Sequence, residues 1–252
     1  MGRYGLSAPV HILATCRKPE LLGGTLLVFD TLRIGFPTAK VTVHLNNHAC
    51  SKQITAKADE IGCHFVWVDT IHHEWIEKLF LDEAEPFWIL DTDVVLWSSV
   101  EDWDMSECFL SGTYTPRFHD PFTKCDTQSR LHTCLMYFDP IKIMSKVTDR
   151  LARHVETPFN PCVNLIHPVM IPTQDRTFFF DTCALLHQAI GGTAFKDDQL
   201  KCFEHLHCGT WSDLIESVFP RMRKIHDSIF ADPQSARGLR DVQNEFYAQH
   251  AI

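Results

Sequence analysis

No stretch of this sequence is apolar for long enough to cross a bilayer. The longest uncharged, apolar-rich run is Leu21 to Phe29, well short of the roughly 20 residues a helical span needs. The brief apolar run Val10 to Ala14 is followed at once by Arg17 and Lys18, which does not read as a secretory leader. Gly2 is followed by Leu6 where an N-myristoylation signal has Ser or Thr. No Asn-x-Ser/Thr acceptor occurs, and a cytoplasmic protein is expected. Positive charge is also scarce, with 23 Lys and Arg against 32 Asp and Glu and a net charge of −9. That balance excludes a protein that coats nucleic acid non-specifically, because phosphate binding needs concentrated cations. The ten cysteines are scattered with no Cys-x-x-Cys pair. A chain of this length does not depend on disulfide staples, so reduced and mostly buried thiols are expected. Internal repeats and low-complexity segments are absent.

What is present suits an α/β protein. The 252 residues are 45% hydrophobic and 22% charged, enough to bury a sizeable core. Apolar runs predict strands at Val10–Thr15, Val41–Leu45, His64–Val68 and Phe87–Leu90. Helices are expected from Pro19 to about Gly35, over 51–61 and over 73–84. This alternation implies a parallel sheet with helices on both faces, and ligands of such sheets sit at the carboxyl ends of the strands. Those ends carry Thr15, Cys16 and Arg17, then Asn46 and Asn47, then Asp69, then Asp91 and Asp93. Further strands are expected at Leu110–Tyr114, His132–Phe138 and Leu200–Leu206. A long polar loop is expected at 115–131, a helix after Asp181, and a helical tail over 212–252. The change of character near residue 100 reads as two halves of one domain, 8–100 and 101–211.

The chemistry centres on Asp91-Thr92-Asp93. With 20 aspartates in the chain, chance alone supplies about one or two Asp-x-Asp triplets. Asp102-Trp103-Asp104 is the other one, in an acidic, Ser-rich stretch that reads as surface. The first triplet instead interrupts a buried run, between Phe87-Trp88-Ile89-Leu90 and Val94-Val95-Leu96-Trp97. Two like charges there are costly without compensation. In extended backbone residues i and i+2 share a face, so both carboxylates can reach one Mg²⁺ or Mn²⁺ ion. Late in the chain, His205 and His207 also share a face of a strand ahead of Gly209 and offer imidazole ligands. A zinc site from Cys202, His205, His207 and Cys208 is the rival, and a straight strand sets its cysteines opposite its histidines.

On these residues the chain resembles the GT-A-fold glycosyltransferases, whose Asp-x-Asp motif binds a metal and a nucleotide-sugar. The resemblance spans roughly residues 8 to 211 and rests on Asp91-Thr92-Asp93 and His205-Leu206-His207-Cys208-Gly209. Glycogenin-like and lipopolysaccharide galactosyltransferase-like members follow a late strand with His-x-x-Gly. Here that spacing falls on Leu206, between two histidines, with His207 nearer the Gly turn. The resemblance implies a Rossmann-like single domain with a mixed central sheet and C-terminal helices. Residues 8–100 would form its nucleotide-binding half and 101–211 its acceptor and metal half.

It further implies a nucleoside diphosphate sugar donor, with a UDP-sugar expected, and Mn²⁺ or Mg²⁺ held by Asp91, Asp93 and His207 or His205. Base and ribose would lie along Thr15, Arg17 and Asn46, with Asp69 a further contact and Thr92 beside the diphosphate. Asp181, expected at a strand-to-helix junction, would face the sugar; an N-cap is its alternative role. The acceptor is open among saccharide, protein side chain and hydroxymethylated DNA base. Arg221, Arg223, Lys224, Arg237 and Arg240 make the C-terminal region locally basic, which keeps the DNA base in play. Sugar nucleotidyltransferases share this fold but carry a Gly-rich basic loop after the first strand, where this chain has Cys16-Arg17-Lys18-Pro19. A non-catalytic nucleotide-sugar-binding module is the remaining alternative.

Overall fold

The computed structural model describes residues 7–15, 22–46, 50–121, 124–151, 165–206 and 239–252. Its contacts define two compact units. The first is Met1–Asp69, Trp88–Asp104 and Lys196–Gln243; the second is Thr70–Phe87, Met105–Phe195 and Asn244–Ile252.

The first unit is built on parallel strands. β1 (Val10–Ala14), β2 (Val41–Asn46), β3 (His64–Val68) and β4 (Phe87–Asp91) run in the order β4-β1-β2-β3. β1 lies between its neighbours, with Val10 level with Val41 on one side and Trp88 on the other. It is buried at every position, as a strand covered on both faces must be. β2 alternates buried and half-buried residues. The connections are helical, through α1 (Leu22–Gly35) and α2 (Ser51–Glu60).

α1 also fixes the chain that leaves β4. Its buried face, Gly24, Thr25, Val28, Phe29, Thr31, Leu32 and Gly35, repeats at helical spacing. β5 (Val94–Leu96) packs against that face. The Leu96 N–H donates to Thr31 Oγ1 at 3.1 Å. The Gly35 carbonyl accepts from the N–H groups of Val100 and Glu101 at 2.8 and 3.0 Å. A Cβ on Gly35 would lie 2.5 Å from Leu96 Cδ1 and 3.1 Å from Leu96 Cβ, so a larger residue there fits only if Leu96 shifts. The Glu101 carboxylate then accepts from the backbone of Thr38 and Ala39 at 2.9 and 3.2 Å. On its far edge β5 pairs antiparallel with a late strand, Phe203–His205.

In the second unit, β6 (Leu110–Thr115) is followed by β7 (Phe118–Asp120), β8 (Cys125–Thr127) and β9 (Arg130–Phe138). β6 and β9 pair antiparallel, with a register shift between Gly112 and Thr113. β10 (Val169–Pro172) and β11 (Thr177–Phe180) join β7 and β8 in a four-stranded sheet of order β10-β11-β8-β7. β12 (Thr193–Ala194) adds to β6 in parallel. α3 (His72–Asp82) buries Trp75, Ile76, Leu79 and Phe80. α4 (Pro140–Leu151) and α5 (Ala184–Ile190) complete the unit. At the chain end, His119 N–H donates to His250 O at 2.9 Å, and Phe118 lies 5.0 Å from Tyr247 between ring centroids.

The α/β class, the parallel order and the first four strands follow the expectation to within a residue or two. Parallel and antiparallel pairs both occur, as the expected mixed sheet requires. Four expectations are corrected. The segment 115–131 is not an uninterrupted loop, because β7 and β8 lie within it. The helix after Asp181 begins only at Ala184, because Cys183 takes a left-handed conformation with φ 63°. The stretch 200–206 is a strand only at Phe203–His205. It is preceded by a short helix α6 (Asp197–Leu200), whose two aspartates favour a helix start. Val94–Leu96, expected only as an apolar run, is a strand. Of the tail, α7 (Leu239–Gln249) is helical, and 207–238 lies outside the described residues. No described helix is long and apolar enough to cross a membrane.

Candidate functional site

The strand order of the first unit places its functional end. β1, β2 and β3 progress in one direction, while β4 lies on the other side of β1. In open α/β sheets, ligands bind beyond the carboxyl ends of the strands at such a reversal. Asp91 ends β4 at this point, paired in register with Leu13 of β1. Thr15 follows β1 and is half-buried; Asn46 ends β2 and is half-buried. Asp69 lies one residue past β3, at the sheet edge, and is exposed. Arg17 lies outside the described residues.

After Asp91 the chain turns through half-buried Thr92, and Asp93 is 7% exposed. The strand Phe203–His205, β13, then pairs with β5 so that His205 stands opposite Val94. Two contacts tie this strand to Asp93. The Leu206 N–H donates to the Asp93 carbonyl at 2.6 Å. His205 Nε2 lies 3.2 Å from Asp93 Oδ1. One ligand atom each from Asp91, Asp93 and His205 falls within 4.8 Å of the other two. Burial works against a charged His205 imidazole, but Asp93 and then Asp91 outweigh it, so His205 titrates above its ordinary value.

Two carboxylates and one imidazole are a donor set for a divalent cation such as Mn²⁺ or Mg²⁺. Ligand atoms each about 2.1 Å from one ion are at most about 4.2 Å apart. Three such atoms around one ion lie closer together still, so closing the trio on an ion takes side-chain adjustment. Buried Asp93 and half-buried Asp91 place two carboxylates together where a cation would be favoured by both.

Among the described residues, His205 is thus the histidine brought to the acid pair. His207, the first choice from spacing, lies outside the described residues, as does Cys208. The Sγ of Cys202, from the rival zinc set, donates to Asp198 O at 3.4 Å. The other triplet, Asp102-Trp103-Asp104, is a turn with both aspartates exposed, and Trp103 packs edge-on against Trp88.

Asp181 belongs to the second unit and is held there. Its Oδ2 accepts from Arg130 Nη2 at 2.8 Å and its Oδ1 from Thr182 N–H at 2.7 Å. It does not cap α5, whose N-cap position is Cys183. Sequence reasoning also passed over His11 and His44. They meet across β1 and β2, Nδ1 to Nε2, at 3.0 Å. His11 is the one polar residue of β1 and His44 is one of three in β2, and only strand register reveals the pair.

No protein-family profile and no curated protein matches the chain. The solved structures that resemble it include several glycosyltransferases. The apo form of the bifunctional glycosyltransferase WbbM matches at 9% identity and a TM-score of 0.46, over 89% of this chain and 45% of that one. The glycosyltransferase GlyE of Streptococcus pneumoniae matches at 11% identity and a TM-score of 0.42, over 85% of this chain and 51% of that one. A nucleoside-diphosphate-sugar pyrophosphorylase from Vibrio cholerae matches at 10% identity and a TM-score of 0.40, over 82% and 98%. The chain spans about half the length of the two glycosyltransferases. Likeness this distant carries no argument about substrate or mechanism, which rest on the side chains just described.

Proposed function

We propose that this chain is a metal-dependent glycosyltransferase that takes a sugar from a nucleoside diphosphate sugar, a UDP-sugar in the first instance, and passes it to an acceptor hydroxyl. The observation that supports this reading is the meeting of Asp91, Asp93 and His205 beside the reversal point of a parallel sheet. In this reading those three residues hold Mn²⁺ or Mg²⁺. The ion, when bound, supplies Lewis-acid stabilisation of the departing diphosphate. Thr15 and Asn46, at neighbouring strand ends, contact the base and ribose, with Arg17 and Asp69 as further contacts. Thr92 lies where a phosphate oxygen passes. Asp181 is the carboxylate assigned to the sugar. Its pairing with Arg130 suits a fixed negative charge better than a proton acceptor, because accepting a proton would give up that ion pair.

The test is a panel of nucleoside diphosphate sugars incubated with Mn²⁺, Mg²⁺ or EDTA, reading donor binding and release of nucleoside diphosphate. One donor is expected to bind only with metal and to lose that binding in Asp93→Asn. Donor affinity indifferent to both EDTA and the substitution refutes the reading. Release of inorganic pyrophosphate from a nucleoside triphosphate and a sugar phosphate would reassign the site to nucleotidyl transfer. Offering saccharide, peptide and hydroxymethylated-DNA acceptors to the metal-loaded protein then finds the acceptor class.

A further inference from the structure

The four-stranded sheet of the second unit carries a cluster that the donor reading does not use. Asp126 sits at the middle of β8 with its side chain only 7% exposed. Strand register sets His119 of β7 opposite it on one side and Phe178 of β11 on the other. Arg117 immediately precedes β7, and Arg176 immediately precedes β11. Both guanidinium groups reach the same oxygen, Asp126 Oδ2, at 3.5 and 3.1 Å, while His119 Nδ1 lies 2.9 Å from Oδ1. Both also lie over the Phe178 ring, 5.6 and 5.9 Å from its centroid.

One carboxylate faces two permanent cations and an imidazole. The His119 hydrogen bond, then Arg176 and Arg117, hold the Asp126 carboxyl below its ordinary range despite burial. The cluster therefore keeps at least one unbalanced positive charge, and two when His119 is protonated. Asp126 does not saturate the guanidinium groups. It takes one nitrogen from each, and Arg117 Nε is buried without a hydrogen-bond partner among the described residues. The outer faces are open to water, with Arg117, His119 and Arg176 side chains 38%, 47% and 55% exposed. Here a buried anion and an aromatic ring hold two guanidinium groups side by side with donors to spare, which is a preorganised oxyanion site.

We propose that Arg117, Arg176 and His119, held in place by Asp126 and Phe178, bind a phosphate group, free or as a terminal monoester. A phosphate monoester carries about −1.5 to −2 at neutral pH and presents three acceptor oxygens, so it can use the spare guanidinium donors more fully than the two oxygens of a carboxylate or a phosphodiester can. The phosphate is either free inorganic phosphate or the terminal phosphate of a phosphorylated sugar. The site stands apart from the metal reading, so the two fail separately.

The experiment is calorimetric titration of the full chain in EDTA at low ionic strength, with inorganic phosphate, a hexose 6-phosphate and acetate as probes. EDTA removes metal-bridged phosphate, and Asp102→Asn, at an exposed position, is expected to leave binding unchanged. Phosphate or hexose phosphate is expected to bind, with Arg176→Gln weakening it about tenfold and Arg176→Lys less than Gln. A tighter hexose phosphate identifies a phosphosugar ligand; equal affinities identify free phosphate. Circular dichroism and thermal midpoints check that the variants are folded; Arg176, the most exposed of the three, is the least disruptive position. Absence of binding by both phosphates overturns the proposal. So does undiminished binding in folded Arg176→Gln, or acetate binding as tightly as phosphate.

Discussion

Mn²⁺ is expected to stabilise the protein against heat, and Asp93→Asn is expected to erase that effect. A ligand at 100 times its dissociation constant stabilises the folded state by about 2.7 kcal/mol. For a chain of this size each kcal/mol moves the midpoint by about 2–4 °C, so the expected shift is about 5–11 °C. Replacing the Asp93 carboxylate by an amide removes a charged oxygen ligand from a set of three. If metal affinity falls about 100-fold, the residual stabilisation is about 0.4 kcal/mol, or about 1 °C. The metal-free protein should change little, because the substitution relieves repulsion from Asp91 and also gives up the 3.2 Å contact with His205. Those terms are of opposite sign, each roughly 3–5 kcal/mol at an effective dielectric constant of 20 when the groups are charged. Differential scanning fluorimetry with and without Mn²⁺ reads the result. His205→Gln should behave like Asp93→Asn, while Asp102→Asn, in the exposed triplet, should keep the full shift. An equal Mn²⁺ shift in wild type, Asp93→Asn and His205→Gln would refute metal binding at this trio.

Two further outcomes follow from the first unit. Burial, then His44 and Lys40, push His11 down from 6.5 to about 3. Its folded-state value is depressed, so it contributes no pH dependence above 6.5. As pH falls from 6.5 towards 3 the unfolded chain takes up a proton that the folded protein refuses, and stability is lost. By pH 5 the loss from this residue is about 2 kcal/mol. Urea unfolding at pH 7.5 and pH 5 should show that drop in wild type and a smaller one in His11→Asn; equal drops would remove His11 as the cause. Gly35→Ala puts a Cβ 2.5 Å from Leu96 Cδ1 and should cost about 1–3 kcal/mol by overpacking. Because the displaced strand, β5, pairs with β13, the variant should also weaken Mn²⁺ binding although it alters no ligand. Unchanged denaturant midpoints would show that the packing relaxes without cost.

The first four strands were legible because each is a run of large or β-branched residues bounded by a turn or charged residue, as in Val41–Leu45 before Asn46-Asn47. Their alternation with helices was enough to place the acid pair at a strand end. What escaped was whatever depends on partners far away in sequence. Val94–Leu96 is too short to announce itself as a strand, and its pairing with Phe203–His205 spans more than a hundred residues. β7 and β8 have little apolar content, so 115–131 reads as a loop until β11 arrives to complete the sheet. Asp126 gave no signal, since a buried aspartate looks like any other until the arginines that satisfy it are brought to it. Proximity to Gly209 is a local cue and pointed to His207, which lies outside the described residues; the pairing opposite Val94 that delivers His205 depends on a partner far away in sequence.

That pairing also explains why a triplet nearly expected by chance can be a site. Asp93 is anchored twice by the same late strand, through its carbonyl to the Leu206 N–H and through its carboxylate to His205. The acid pair and its third donor are therefore not three independent side chains that happen to converge. Once β13 is in register on β5, the histidine and the second aspartate are positioned by one backbone contact. The clamp of α1 on β5, through Thr31 and Gly35, sets the height of both. The triplet at Asp102 and Asp104 lies in a turn, with both aspartates open to water that screens their charges. What separates the two triplets is the cost of leaving the charges uncompensated. That cost is small at the surface and large beside Val94, where the fold holds two carboxylates and an imidazole too close together to be indifferent to a cation.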